Sequence, residues 1–140
     1  MALTQEVSRT FLARVDTQNI RLVTVAAVVP ASGAPGAYKI AIADAALAVD
    51  YWYVGITIDT PSAAGLFDYD IATPAAGTTV LVGSHHFEVA TDAGGYIQQI
   101  QVPIPIRIPF TAVNGLAIRQ LTASGQTCNV VAMYMTGLGA

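Results

Sequence analysis

The sequence runs to 140 residues, the size of one domain, with 54% hydrophobic residues, 11% charged residues and a formal net charge of −3. Mean hydropathy is +0.54, yet no run of about 18 or more consecutive apolar residues offers a membrane-spanning helix, and a chain this apolar is not of the disordered class. The six basic residues, Arg9, Arg14, Arg21, Lys39, Arg107 and Arg119, are scattered along the chain, so neither nucleic acid nor an anionic membrane is an expected partner.

Residues 1–19 stand apart from the rest. Leu3, Val7, Phe11 and Val15 recur every fourth residue, a spacing that puts them on one helical stripe. Glu6 near the start and Arg9 and Arg14 later suit the helix dipole. The segment reads as a short helix or an extended arm outside the main domain, with four apolar side chains that need something to pack on. A domain already supplied with strands does not need them, so a neighbouring subunit is the expected receiver. Met1-Ala2 reads as a start, Glu6 and Arg9 interrupt any signal-peptide core, and synthesis in a cytoplasm is expected.

From residue 20 the apolar period changes to two, and residues 20–140 read as a single β-sandwich domain. Strands are expected at 20–29, 38–42, 49–58, 66–71, 79–82, 87–89, 96–102, 116–121 and 127–135, with loops at 31–37, 59–65, 73–77, 92–95 and 124–126. Within 49–58, Trp52, Val54, Ile56 and Ile58 are taken as the core face. Residues 103–109 hold three prolines in seven positions; proline cannot donate to a ladder, so this stretch belongs at a sheet edge. Eight or nine short strands with regular turn punctuation predict an all-β fold, an antiparallel β-sandwich of about eight strands and jelly-roll-like.

Few residues invite chemistry. His86 and Glu88 share one strand face while His85 points the other way; two ligands are too few for structural zinc unless a third comes from elsewhere, and two half-exposed histidines at a strand boundary account for the pattern as well. Asp68 and Asp70 share a face about 6.5–7 Å apart along the strand, a pair that could serve acid–base chemistry or calcium, or simply make a solvated acidic face. Ser84 lacks the Gly-x-Ser-x-Gly context of a nucleophile elbow. Cys128, the only cysteine, forms no intrachain disulfide and reads as a buried small residue. No enzyme and no cofactor is expected. Tyr51, Trp52 and Tyr53 put aromatic rings on both faces of one strand, where Tyr51 and Tyr53 could line a subunit interface or a sugar platform. Fifteen charged residues cover a small domain thinly, which fits a surface partly occupied by other subunits. That thin charge and an apolar edge needing cover predict a homo-oligomer, taken as a trimer.

Several segments carry a family likeness. Gly-Ala-Tyr at 36–38 precedes the aromatic strand; Phe-Asp-Tyr-Asp-Ile-Ala-Thr-Pro-Ala-Ala-Gly follows at 67–77 and an apolar strand at 79–82. Pro-Ile-Arg-Ile-Pro at 105–109, Leu-Ala-Ile-Arg at 116–119 and a closing strand at 129–134 complete the series. The whole resembles small β-sandwich structural proteins of tailed bacteriophages, of the capsid decoration or cement type, over about residues 20–135. It departs from their pattern where Thr73-Pro74 replaces glycines and where residues 111–115 lengthen a turn. The resemblance implies a virion structural protein on the capsid surface, made in the host cytoplasm, that binds the major capsid protein and its own copies and bridges capsomers. Leu3, Val7, Phe11, Val15, Tyr51, Tyr53, Ile104 and Ile106 are the candidate interface residues. The alternative it leaves open is a tail- or fibre-associated structural or carbohydrate-binding receptor module, with Tyr51, Tyr53, Asp68 and Asp70 as its platform.

Overall fold

A computed structural model describes residues 20–28, 35–59, 61–89, 97–121 and 127–137. The N-terminal stripe of Leu3, Val7, Phe11 and Val15 lies outside the described residues. Eight strands follow in chain order: β1 (Ile20–Val28), β2 (Lys39–Ile42), β3 (Tyr51–Asp59), β4 (Gly65–Thr73), β5 (Thr79–Val89), β6 (Ile97–Ile108), β7 (Leu116–Gln120) and β8 (Cys128–Thr136).

They form two four-stranded sheets, ordered β1-β8-β3-β6 and β2-β7-β4-β5. Strand β1 pairs antiparallel with β8, β2 with β7, β3 with β6 and β4 with β5. These four pairs nest, as if one long hairpin with its tip between β4 and β5 had been rolled up so that successive pairs fall in alternate sheets. That is a jelly roll, and it agrees with the fold class read from the turn spacing. The proline-bearing strand β6 lies at the edge of its sheet, as the missing N–H groups require.

The core between the sheets is aromatic and aliphatic. Tyr51, Tyr53, Ile56 and Ile58 of β3 meet Phe67, Tyr69 and Ile71 of β4, with Phe87, Leu116, Ile118 and Val130 around them. The expected core face of β3 needs correction in its first half. Ile56 and Ile58 do face inward, but Trp52 and Val54 do not: the register of β3 against both neighbours is interrupted between Tyr53 and Gly55. A bulge of one residue reverses the alternation, so Tyr51 and Tyr53 before it and Ile56 and Ile58 after it all point inward. Glycine is required there, because a Cβ on Gly55 would stand 2.1 Å from the Ile100 carbonyl oxygen.

Gly83 likewise does not end a strand. The pairing passes from Tyr69–His85 to Ile71–Val82, so β5 carries an extra residue at this point and runs on unbroken. One end of the sandwich is cross-linked by polar side chains. Buried Asn114 accepts from the Ala45 N–H at 2.9 Å, donates to the Leu47 carbonyl at 2.9 Å, and its own carbonyl accepts from the Tyr51 hydroxyl at 2.7 Å. Asp44 Oδ1 accepts from the N–H groups of Ala75 and Gly115, and the Thr73 hydroxyl donates to the Gly115 carbonyl. Three loops are thereby fastened to one another.

Candidate functional site

The edge of the first sheet departs most from regular structure. Tyr53 pairs with Ile106 and Gly55 with Gln101, so two steps along β3 correspond to five along β6. Residues 102–105 bow out, and with Pro103 and Pro105 among them the bow offers a poor ladder to any added strand. Ile104 at its crest is 77% exposed. Ile106 is half-buried and packs against the core.

Beside the bow, Asp50 holds the following loop in place. Its Oδ2 accepts from Arg107 Nε at 3.1 Å and Nη2 at 2.6 Å, and its Oδ1 accepts from the Phe110 N–H at 2.8 Å. The Phe110 N–H, and after it Arg107, hold the Asp50 carboxyl below the usual carboxylate range. This clamp presents Phe110 at 51% exposure between Val49 on one side of Asp50 and Val113 on the loop, which are themselves 51% and 60% exposed. Val49, Phe110 and Val113 thus stand exposed on loops that Asn114 and Asp44 make stiff, and Ile104 stands exposed on the bow of β6. Of these four the sequence singled out only Ile104. Exposed Phe110 follows directly on Pro109, but nothing in the local pattern marks it as surface.

The other interface candidates divide. Tyr51 and Tyr53 are fully buried in the core, so neither lines an interface nor stacks on a sugar; the β3 bulge turns them inward. The hydroxyl of Tyr53 lies 2.6 Å from His85 Nε2, joining β3 to β5 across the core. His85 is buried, not half-exposed, and burial holds its imidazole below the ordinary histidine range.

His86 and Glu88 share the outer face of the second sheet, away from His85. His86 Nδ1 is hydrogen-bonded to Asp68 Oδ1 on the adjoining strand. Asp70, 4% exposed, takes Arg119 Nε and Nη2 on a single oxygen at 3.0 and 2.9 Å, while the Arg119 guanidinium lies 4.7 Å from the centre of the Tyr38 ring. Asp68 and Asp70 are therefore committed to different partners and do not act as a carboxylate pair. Among the described residues no group of three His, Cys, Asp or Glu side chains is arranged to hold a metal. Ser84 is exposed on β5, two residues from His86. Cys128 is buried 2.6 Å from the Tyr69 hydroxyl, and burial pushes its thiol up to about 11, so it stays protonated and unreactive.

No family model and no curated protein matches the sequence. Among solved structures, the chain is similar to VP2 in the infectious bursal disease virus subviral particle, with 12% identity and a TM-score of 0.40 over 84% of this chain and 33% of that one. It is also similar to the tobacco streak virus coat protein, with 9% identity and a TM-score of 0.34 over 88% of this chain and 90% of that one. The chain spans about a third of the length of the VP2 chain it matches. The jelly-roll assignment rests on the nested strand pairing and not on these likenesses.

Proposed function

We propose that this chain is a virion structural protein of the capsid decoration type, which binds a major capsid protein, associates with its own copies as a trimer, and bridges capsomers from the outer surface of the particle. The observation that carries this reading is the exposure of four apolar side chains, Val49, Ile104, Phe110 and Val113. Val49, Phe110 and Val113 stand exposed on loops that are already fixed by the Asp50, Asp44 and Asn114 hydrogen bonds, and Ile104 stands exposed on the bow of β6. Burying them against another protein removes apolar surface from water while ordering little that is not ordered beforehand, which is the economical way to gain affinity. The sequence likeness to phage decoration proteins and the thin surface charge point the same way.

The chemistry of the remaining surface supports binding over catalysis. The carboxylates of Asp44, Asp50, Asp68 and Asp70 are engaged by Arg107, Arg119, His86 or backbone N–H groups. The test is to mix purified protein with particles lacking it and to measure binding, copy number and resistance to heat. Hundreds of copies and a raised disruption temperature are expected. A handful of copies at one vertex would assign the protein to the tail instead, and no binding would overturn the reading. Sedimentation of the free protein and imaging of the bound form test the trimer.

A further inference from the structure

On the second sheet, one polar cluster leaves two buried oxygens unanswered. Asp70 on β4 and Arg119 on β7 stand opposite one another in the register, and Asp70 Oδ2 takes both guanidinium contacts. The other oxygen, Oδ1, is buried and has no hydrogen-bond partner among the described residues. Over the same guanidinium lies the ring of Tyr38, from the chain that leads into β2. Gly77 closes the ring in, since a Cβ there would stand 2.3 Å from a Tyr38 ring carbon. The Tyr38 hydroxyl is likewise buried without a partner among the described residues. Burial raises its pKa above the ordinary tyrosine range, Arg119 opposes the rise and Asp70 adds to it. The two oxygens therefore lie within electrostatic reach, and the phenol keeps its proton at neutral pH. Buried polar groups in folded proteins are paired with protein or with ordered water, so two orphans around one guanidinium call for a common partner. On the far side of Asp70 the ladder is loose. Pairing passes from Tyr69–His85 to Ile71–Val82, which leaves Gly83 and Ser84 opposite Asp70, and a Cβ on Gly83 would meet nothing within 4 Å.

We propose that one water molecule is bound between the Tyr38 hydroxyl and Asp70 Oδ1, accepting from the phenol and donating to the carboxylate. The inventory of donors and acceptors selects water over other small ligands. An ionised carboxylate only accepts, and a protonated phenol has one proton to give. A ligand between them must accept from one and donate to the other, which water does with a proton to spare. A cation would meet both oxygens, but it would stand beside the Arg119 guanidinium in a cluster whose charges Asp70 and Arg119 already balance. An anion would face the carboxylate. The bound water ties Tyr38, and with it the chain entering β2, to the middle of the second sheet. The Gly36 N–H, donating to the Gln120 carbonyl at 2.9 Å, ties the same stretch through its backbone. Water-mediated contacts of this kind are nearly as good as direct hydrogen bonds. The inference stands whether or not the protein belongs to a virion.

Crystals of the full chain, grown in sodium chloride and in rubidium chloride, test it. One density peak should lie within about 3.2 Å of both Tyr38 Oη and Asp70 Oδ1, with no anomalous signal in the rubidium crystals. A direct hydrogen bond between the two side chains, or two oxygens with no peak between them, would overturn the proposal. An anomalous peak would overturn it in favour of a cation. The Tyr38→Phe variant should lose the water while Arg119 stays on Asp70 Oδ2; a water kept at the same place would overturn the part given to the phenol. In solution, the parent should show the nuclear Overhauser contact of a long-lived water with the Tyr38 ring protons, and the variant should lose it. Absence of that contact in the parent would also overturn the proposal.

Discussion

Replacing Ile104 and Phe110 together by serine should separate association from folding. Ile104 is 77% and Phe110 51% exposed in the single chain, so these fractions of their apolar surface remain to be buried by a partner. Full burial of such a side chain contributes roughly 1.5–3 kcal/mol, which scales here to about 2–4 kcal/mol for the pair. At about 1.4 kcal/mol per factor of ten, the double variant should bind particles some thirty- to a thousandfold more weakly. The free protein should hardly notice, since exposed substitutions away from special features change stability by about 0.5 kcal/mol or less. The assay is titration of fluorescently labelled protein onto particles lacking it, beside a urea melt of the same samples. Affinity within about threefold of the parent would refute Ile104 and Phe110 as contact residues, because the energy at stake is at least about thirtyfold in binding.

Asn114→Ala should destabilise the protein by about 2 kcal/mol or more in urea unfolding, because it strands the Ala45 N–H and the Leu47 carbonyl at once. Arg119→Met should cost on the order of 3 kcal/mol by leaving the buried Asp70 carboxylate uncompensated, and adding Asp70→Asn should recover part of the loss in a double-mutant cycle. Stability should fall as the solution is acidified: above about pH 6.5 His85 is neutral in both states, but below it the unfolded chain takes up a proton that the buried imidazole, facing the Tyr53 hydroxyl, resists. Urea midpoints measured from pH 7.5 to 5.5 should therefore decline in the parent, and the His85→Leu variant should show a flatter profile.

The sequence carried the strands well because proline, glycine and aspartate break the chain where the structure turns, and the crowded prolines at 103–109 had no place but an edge. What it concealed were shifts of a single residue. The bulge between Tyr53 and Gly55 reverses inward and outward on β3, and alternation counted through it assigned Trp52 and Val54 to the core in place of Tyr51 and Tyr53. His85 was legible in principle. Phe87 and Val89 are apolar at alternate positions, and the same period extended backwards puts His85 inside. The Asn114 and Asp44 network was hidden because its partners are backbone groups on three separate loops, which no local pattern brings together. Nor could the nested pairing be read, since β1 and β8 meet across more than a hundred residues of chain, Ile20 opposite Met135.

That distance sets the order in which the molecule can come into being on the ribosome. Strands β4 and β5 are joined by a short turn and can pair as soon as both have emerged, with little chain entropy lost on closing so small a loop. The first sheet has no such early stage. Strand β8 lies between β1 and β3, so β1, the first of the eight described strands to be made, has no neighbour in its sheet until β8, the last of them, leaves the exit tunnel. Until then β1 waits with its backbone groups unpaired and its apolar side chains in water, the species most open to capture by chaperones or by a sister chain on the same messenger. A shift in the reading frame or a stop codon ahead of β8 would cost more than one strand: it would detach β1 as well and leave the first sheet with β3 and β6 alone.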